Sequence, residues 1–154
     1  LALPETMLDW TNTAVLFWDD VSPSELTSEQ RRALVDWLHF GGRLIINGDV
    51  MAAELASSEL APLLPIQVDG MTDLDADATA NMIQRWSIAA DDSKSAVSAL
   101  VKSQSSRVAV GGTLKPDSFA ITGTEELLTA RRVERGEVVM SRFDLTSDWL
   151  IGWR

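Results

Sequence analysis

The stretch LTSEQRRALVDWLHFGGRLIINGD, residues 26–49, decides how this chain folds. Thr27 and Gln30 have the spacing of a capping box, in which two side chains satisfy early backbone N–H groups, so a helix is predicted to begin there. The apolar residues of one helix face follow at helical spacing: Ala33, Leu34, Trp37 and Leu38. The double glycine at 41–42 predicts the end of the helix, and residues 43–47 predict a buried strand directly after it.

An apolar run without polar interruption precedes this helix. Residues 13–18, TAVLFW, are followed by Asp19 and Asp20. Because an unbroken apolar run is typical of a strand buried on both faces, we predict a central strand here. The strand, the helix and the second strand form a βαβ unit, which predicts a parallel pair with a right-handed crossover.

The remainder of the chain predicts more helices and then mostly strands. Apolar residues at helical spacing indicate helices at residues 76–86 and 93–102. Residues 127–133 and 137–143 are strand-like runs around a short turn, which predicts an antiparallel hairpin near the C-terminus. Residues 69–106, which begin with an acidic, turn-rich segment, are interpreted as variable or inserted.

The composition is that of an acidic globular domain. The chain has 154 residues, 45% of them hydrophobic, which suits a single domain spanning residues 1–154. Its formal net charge of −10 repels phosphate backbones, so no nucleic-acid partner is expected. The abrupt start and end of the chain suggest a fragment of a longer protein.

Several absences narrow the chemistry. Cysteine is missing, which excludes thiolate nucleophiles, disulfides and cysteine-based metal centres. Neither a phosphate-binding glycine motif nor a serine-nucleophile elbow occurs, and no cofactor is expected. No run reaches the roughly 20 apolar residues that span a bilayer, so membrane association is expected only through segments outside this chain.

The order of these features resembles a known family. The residues that carry the resemblance are Asp19, Leu26, Thr27, Gln30, Ala33, Leu34, Trp37, Gly41, Gly42, Arg43, Leu44, Ile45, Ile46, Leu63, Leu64 and Pro65, with Gly136, Val138, Val139, Phe143, Asp144 and Trp149 near the end. They look like the class I glutamine amidotransferase-like domains of large bacterial membrane-anchored or secreted proteins. The resemblance implies an α/β fold with a three-layer, doubly wound, mostly parallel sheet of flavodoxin type. It also implies an extracytoplasmic or periplasmic location, with a cytoplasmic one left open.

The same resemblance excludes the family's reaction. Active members of this family carry a cysteine in the turn after the strand that corresponds to residues 43–47, with a histidine and a glutamate later in the chain. Here that turn reads Gly48-Asp49-Val50, and the one histidine, His39, lies in the preceding helix. The comparison therefore implies a non-catalytic domain without glutaminase activity and without catalytic residues.

Polar residues at the strand ends are the candidate ligand-binding site. In open α/β sheets, ligands bind outside the carboxyl ends of the strands, which here gathers Asp19, Asp20, Asn47 and Asp49, and with them Asp144. Such oxygen ligands suit Mg²⁺ or Ca²⁺. The ordinary alternative, which we favour, is that these aspartates cap turns and helices and hold no metal.

Six tryptophans and no tyrosine distinguish the composition. Trp18 and Trp37 fall on faces predicted to be buried, whereas Trp10, Trp149 and Trp153 are predicted to be freer. For these three, core or interface anchors are favoured over platforms that stack on sugars.

The leading hypothesis is a non-catalytic scaffold or interaction domain of a larger bacterial protein. Its expected partners are another protein or other domains of the same chain, and a small ligand is disfavoured. The alternative is an enzyme or ligand-binding domain that uses a divalent cation at Asp19, Asp20 and Asp49. The two hypotheses differ in one respect: the alternative requires these three carboxylates to converge on an open pocket, whereas the leading hypothesis has them point apart into caps and solvent.

Overall fold

The computed structural model describes residues 3–48, 51–102, 108–150 and 153. The strands are β1 (Val15–Trp18), β2 (Arg43–Ile46), β3 (Ile66–Asp73), β4 (Val108–Leu114), β5 (Ser118–Ala120), β6 (Leu128–Val133) and β7 (Gly136–Ser141). The α-helices are α1 (Ser28–His39), α2 (Met51–Ala56), α3 (Ala76–Trp86) and α4 (Ala90–Lys102). Short 3₁₀ helices cover Met7–Trp10, Pro23–Glu25, Ala61–Leu63 and Asp148–Leu150.

The main sheet is mixed, so the predicted mostly parallel, flavodoxin-type sheet is wrong. Its five strands lie in the order β1-β2-β7-β6-β5. The pairs β1–β2 and β2–β7 are parallel, whereas β7–β6 and β6–β5 are antiparallel. The tight turn between β6 and β7 forces these two strands to run in opposite directions. The chain therefore keeps the α/β class and the predicted C-terminal hairpin but not the doubly wound arrangement.

The predicted βαβ unit is present and is locally well specified. Thr27 and Gln30 form both hydrogen bonds of the capping box. The helix ends at His39, and Gly41 adopts a φ of +118°, a conformation that glycine reaches without steric strain. Trp37 is buried, and its indole N–H donates to the Thr13 carbonyl at 2.7 Å.

Strands β3 and β4 form a separate antiparallel sheet. Residues 69–106, interpreted from the sequence as variable or inserted, contain the end of β3, α3 and α4, while residues 103–106 lie outside the described part. Helices α3 and α4 contribute to a second core cluster that includes Phe143 and Trp149. The first core cluster lies between α1 and one face of the main sheet.

Strand β1 differs most from its prediction, because it is not buried on both faces. It is an edge strand of the main sheet. Trp18 is buried, but Val15 remains 49% and Phe17 45% exposed. An unbroken apolar run therefore marks a strand of which only one face enters the core.

Two of the three tryptophans predicted to be freer, Trp10 and Trp149, are among the most buried side chains. Trp10 stacks against Trp37, with ring centroids 5.2 Å apart. Trp149 is buried against Phe143, with centroids 5.4 Å apart. Trp153 packs partly against the second core cluster. Trp10 and Trp149 therefore act as core anchors, one of the two roles predicted for them, and Trp18 and Trp37 are buried as predicted.

Candidate functional site

Parallel strands bring the predicted strand-end residues to one edge of the main sheet. Strands β1, β2 and β7 run in the same direction, so the residues that follow them meet at their shared carboxyl edge. The structure brings together Asp19 after β1, Asn47 after β2 and Asp144 after β7. Asp20 lies on an exposed turn with a φ of +49°, and Asp49 lies outside the described residues.

Asn47 is the centre of this group. It is 2% exposed, and its amide nitrogen donates to the carboxylate oxygens of Asp19 at 2.6 Å and Asp144 at 2.9 Å. Its amide oxygen accepts the backbone N–H of Leu145 at 2.7 Å. One buried side chain therefore connects the ends of three strands, and it satisfies a backbone donor that follows β7.

Asp144 is held as a carboxylate by its neighbours. Burial alone would raise the pKa of Asp144, but hydrogen bonds from Asn47 and from the side chain and backbone of Thr146 outweigh it. The pKa therefore lies below its ordinary value, since each of these donors favours the charged form.

This lowered pKa predicts a specific pH dependence of stability. The contribution of Asp144 is fully present above the pKa of about 3.9 that an aspartate has in an unfolded chain, and it is lost as the pH falls through the lower folded value. Asp144→Ala is expected to reduce the free energy of unfolding by about 2 kcal/mol at pH 7, with a smaller difference near pH 3. Urea unfolding at both pH values measures this.

Asp77→Ala is the matched control, because Asp77 is exposed on α3, away from the strand ends. A difference in the free energy of unfolding between wild type and Asp144→Ala that stays constant or grows in acid would contradict the stabilising role of the ionised Asp144.

The divalent-cation alternative stays a prediction, because Asp49, one of its three carboxylates, lies outside the described residues. The carboxylates of Asp19 and Asp144 both accept from Asn47, a donor that a metal site would not place between them. Across residues 3–48, 51–102, 108–150 and 153, no three aspartate, glutamate or histidine side chains are grouped so as to hold a metal ion. The arrangement works as a cross-link between strand ends.

A polar groove of about 410 Å³ lies between segments that follow β1 and β2. Its lining includes Ser22, Ser24, Arg31 and Ser57. The guanidinium of Arg31 donates to the Leu26 carbonyl at 2.9 Å and lies 3.1 Å from a Glu59 carboxylate oxygen. Since its positive charge is already engaged by the chain, the groove does not have the character of an anion site.

A row of apolar residues crosses the whole main sheet. Residues paired directly across neighbouring strands point to the same face. The strand registers place one such row on all five strands: Phe17, Ile45, Val139, Ala130 and Phe119. Together with Val15, two residues before Phe17, this row defines what we call the open face.

The two faces of the sheet are covered differently. On the opposite face Trp18, Leu44 and Val138 belong to the first core cluster, where they meet α1. On the open face, half-buried Ile45 and Val139 pack against neither core cluster, and Phe119 is 43% exposed. Ala130 is 1% exposed, so within the described part of the chain the uncovered apolar surface of the open face lies on β1, β2, β7 and β5.

A charged row borders the open face. Arg43 on β2 pairs with Glu137 on β7, and Glu137 pairs in turn with Arg132 on β6. The guanidinium Nε of Arg43 lies 3.0 Å from a Glu137 carboxylate oxygen. The sequence prediction missed this surface, although charged residues inside three predicted strands were a signal that one face meets solvent.

Comparisons with known proteins identify the fold alone. No protein family model and no curated protein matches this sequence. Two solved structures share the fold: cytoplasmic protein STM1381 from Salmonella typhimurium LT2, at 14% identity, and cytoplasmic protein STM3548 from Salmonella typhimurium, at 12% identity. Each has a TM-score of 0.63 and covers 97% of this chain and 68% of its own chain.

These findings overturn the resemblance to amidotransferase-like domains. The sheet is mixed, and the two similar structures are described as cytoplasmic proteins rather than as amidotransferases. An extracytoplasmic or membrane-associated location has no support in these comparisons. None of the helices in the described ranges has the length and apolar character needed to cross a bilayer.

Proposed function

We propose that this chain is a non-catalytic interaction domain that binds another polypeptide through its open face. The observation that carries the proposal is the apolar surface of Phe17, Ile45, Val139 and Phe119, of which Ile45 and Val139 pack against neither core. Exposed apolar surface of this extent on a folded protein commonly marks an interaction site. An α/β sheet gains stability when both faces are covered, so a partner supplies the missing layer.

The dimensions of the open face suit a polypeptide better than a small molecule. Five strands at a spacing of about 4.8 Å extend over roughly 19 Å. A surface spread over neighbouring strands differs from small-molecule sites, which are concave and enclose most of the ligand. The exposed rings of Phe17 and Phe119 lie near the two sides of the sheet and offer anchoring contacts to a partner.

A display experiment tests the proposal. A peptide library is selected on the wild-type chain, and the bound peptides are then measured against Phe17→Asp. A buried contact with this ring predicts at least a tenfold loss of affinity in the variant, because a carboxylate on the open face opposes apolar burial. Thermal unfolding first establishes that the variant is folded.

The matched control is Ile88→Asp, which changes another exposed apolar residue at a site away from the main sheet. Selected peptides are expected to bind this control as they bind the wild type. Peptides that bind Phe17→Asp unchanged would place the interaction elsewhere and overturn the proposal.

A further inference from the structure

We infer that the partner presents an amphipathic α-helix, with carboxylates along one side of its apolar stripe, to the open face. This inference rests on the proposed function and specifies the occupant. It is carried by two properties of the surface: apolar side chains spread across all five strands, and a basic-rich row along one border.

Backbone hydrogen bonding selects a helix as the occupant. A single extended strand lying flat on apolar side chains would leave its N–H and C=O groups without partners, at a substantial desolvation cost. A helix satisfies these groups internally and presents an apolar stripe. The opposite face already shows this solution, since α1 covers it through Leu34 and Leu38. About 13 helical residues, at 1.5 Å each, extend over the roughly 19 Å width of the sheet.

The charged row that borders the open face favours a partner with acidic side chains. Within this row Arg43 and Glu137 form an ion pair, so Arg132 gives the row its net positive charge in a chain with a net charge of −10. Salt screens charges beyond about 8 Å at physiological ionic strength, so the row in contact with the helix outweighs the distant acidic surface. Carboxylates beside the apolar stripe complement this row.

Three synthetic 18-residue peptides test the inference against the full chain. The first has leucines at helical spacing with glutamates beside the stripe. The second has lysines in place of those glutamates, and the third scrambles the first so that the stripe is lost. Fluorescence anisotropy at 150 mM salt is expected to show at least tenfold tighter binding of the glutamate peptide than of either other peptide.

Two variants locate the effect. Arg132→Glu is expected to abolish the preference for glutamate over lysine, while Lys94→Glu, the same charge change on α4, leaves it intact. Phe17→Asp is expected to weaken all binding that depends on the stripe.

The remaining outcomes separate this inference from the proposed function. Equal or tighter binding of the lysine peptide, still lost in Phe17→Asp, overturns the charge assignment alone. Equal binding of the scrambled peptide, also lost in Phe17→Asp, overturns the helical occupant alone. If the wild-type chain sediments as a dimer and Phe17→Asp sediments as a monomer, a second copy of the chain occupies the open face. Binding insensitive to Phe17→Asp, or none by any of the three peptides and any library member, overturns both.

Discussion

Asn47→Asp is expected to destabilise the protein severely at neutral pH and to regain stability in acid. The substitution keeps the shape of a buried side chain but replaces its NH₂ group by an oxygen. That oxygen would lie where the amide nitrogen now contacts the carboxylates of Asp19 and Asp144, at 2.6 and 2.9 Å. Leaving buried charge uncompensated in this way costs about 4 kcal/mol or more, which is a large share of the roughly 5 to 15 kcal/mol that stabilises a domain.

The pH response separates this electrostatic effect from a packing defect. As the pH falls, one of the three carboxyl groups takes up a proton, and its O–H group can then donate where the amide donated before. The variant is therefore expected to gain stability between pH 7 and pH 4, where wild type gains none. Urea unfolding across this range measures the difference.

The double variant Asp19→Asn/Asn47→Asp is the matched control. It exchanges donor and acceptor between the two side chains, so the amide at position 19 can donate to the carboxylate at position 47. We expect it to recover more than half of the lost free energy of unfolding. A single Asn47→Asp variant within 1 kcal/mol of wild type would show that Asn47 does not hold the strand ends together.

Gly136→Ala is expected to have the second largest effect. A methyl group at the first residue of β7 would overlap the backbone carbonyl of Leu38 and lie 2.5 Å from the carbonyl oxygen of Gly42. Both obstacles are backbone atoms at the junction of α1 and β2, so no rotamer change relieves the overlap. Because α1 would have to move away from the sheet, we expect a loss of about 3 kcal/mol or more in urea unfolding.

Gly41→Ala is the control for this variant. Its new methyl group would meet its nearest backbone atom at 3.9 Å, so it adds only the strain of a φ of +118°, a cost of roughly 1 to 3 kcal/mol. An effect of Gly136→Ala no larger than that of Gly41→Ala would contradict the close approach of α1 to β7.

Local chemistry explains the parts of the fold that the sequence predicted. The capping box at Thr27 and Gln30, the helical apolar face with Trp37, and the glycine at position 41 each act within a few residues of themselves. Such short-range interactions leave a readable pattern, so helix α1 and its junction with β2 could be predicted. The turn between β6 and β7 is equally local, and the hairpin could be predicted for the same reason.

The strand-end group could be anticipated only in part. Parallel pairing of β1 with β2 implies that Asp19 and Asn47 lie close together. That their carboxylate and amide groups form a part-buried network with Asp144 depends on the placement of β7 beside β2. The sequence around residues 136–144 does not indicate which strands lie beside β7.

The α/β class, the βαβ unit and the hairpin can be predicted from the sequence, because short-range hydrogen bonding and apolar periodicity act locally. The strand order, the separate β3–β4 sheet and the exposure of Phe17 and Phe119 on one sheet face depend on long-range packing. The physical reason is that an apolar side chain in a strand records a preference for burial, not the identity of the surface that covers it. The open face is the place where that preference is unmet within the described chain.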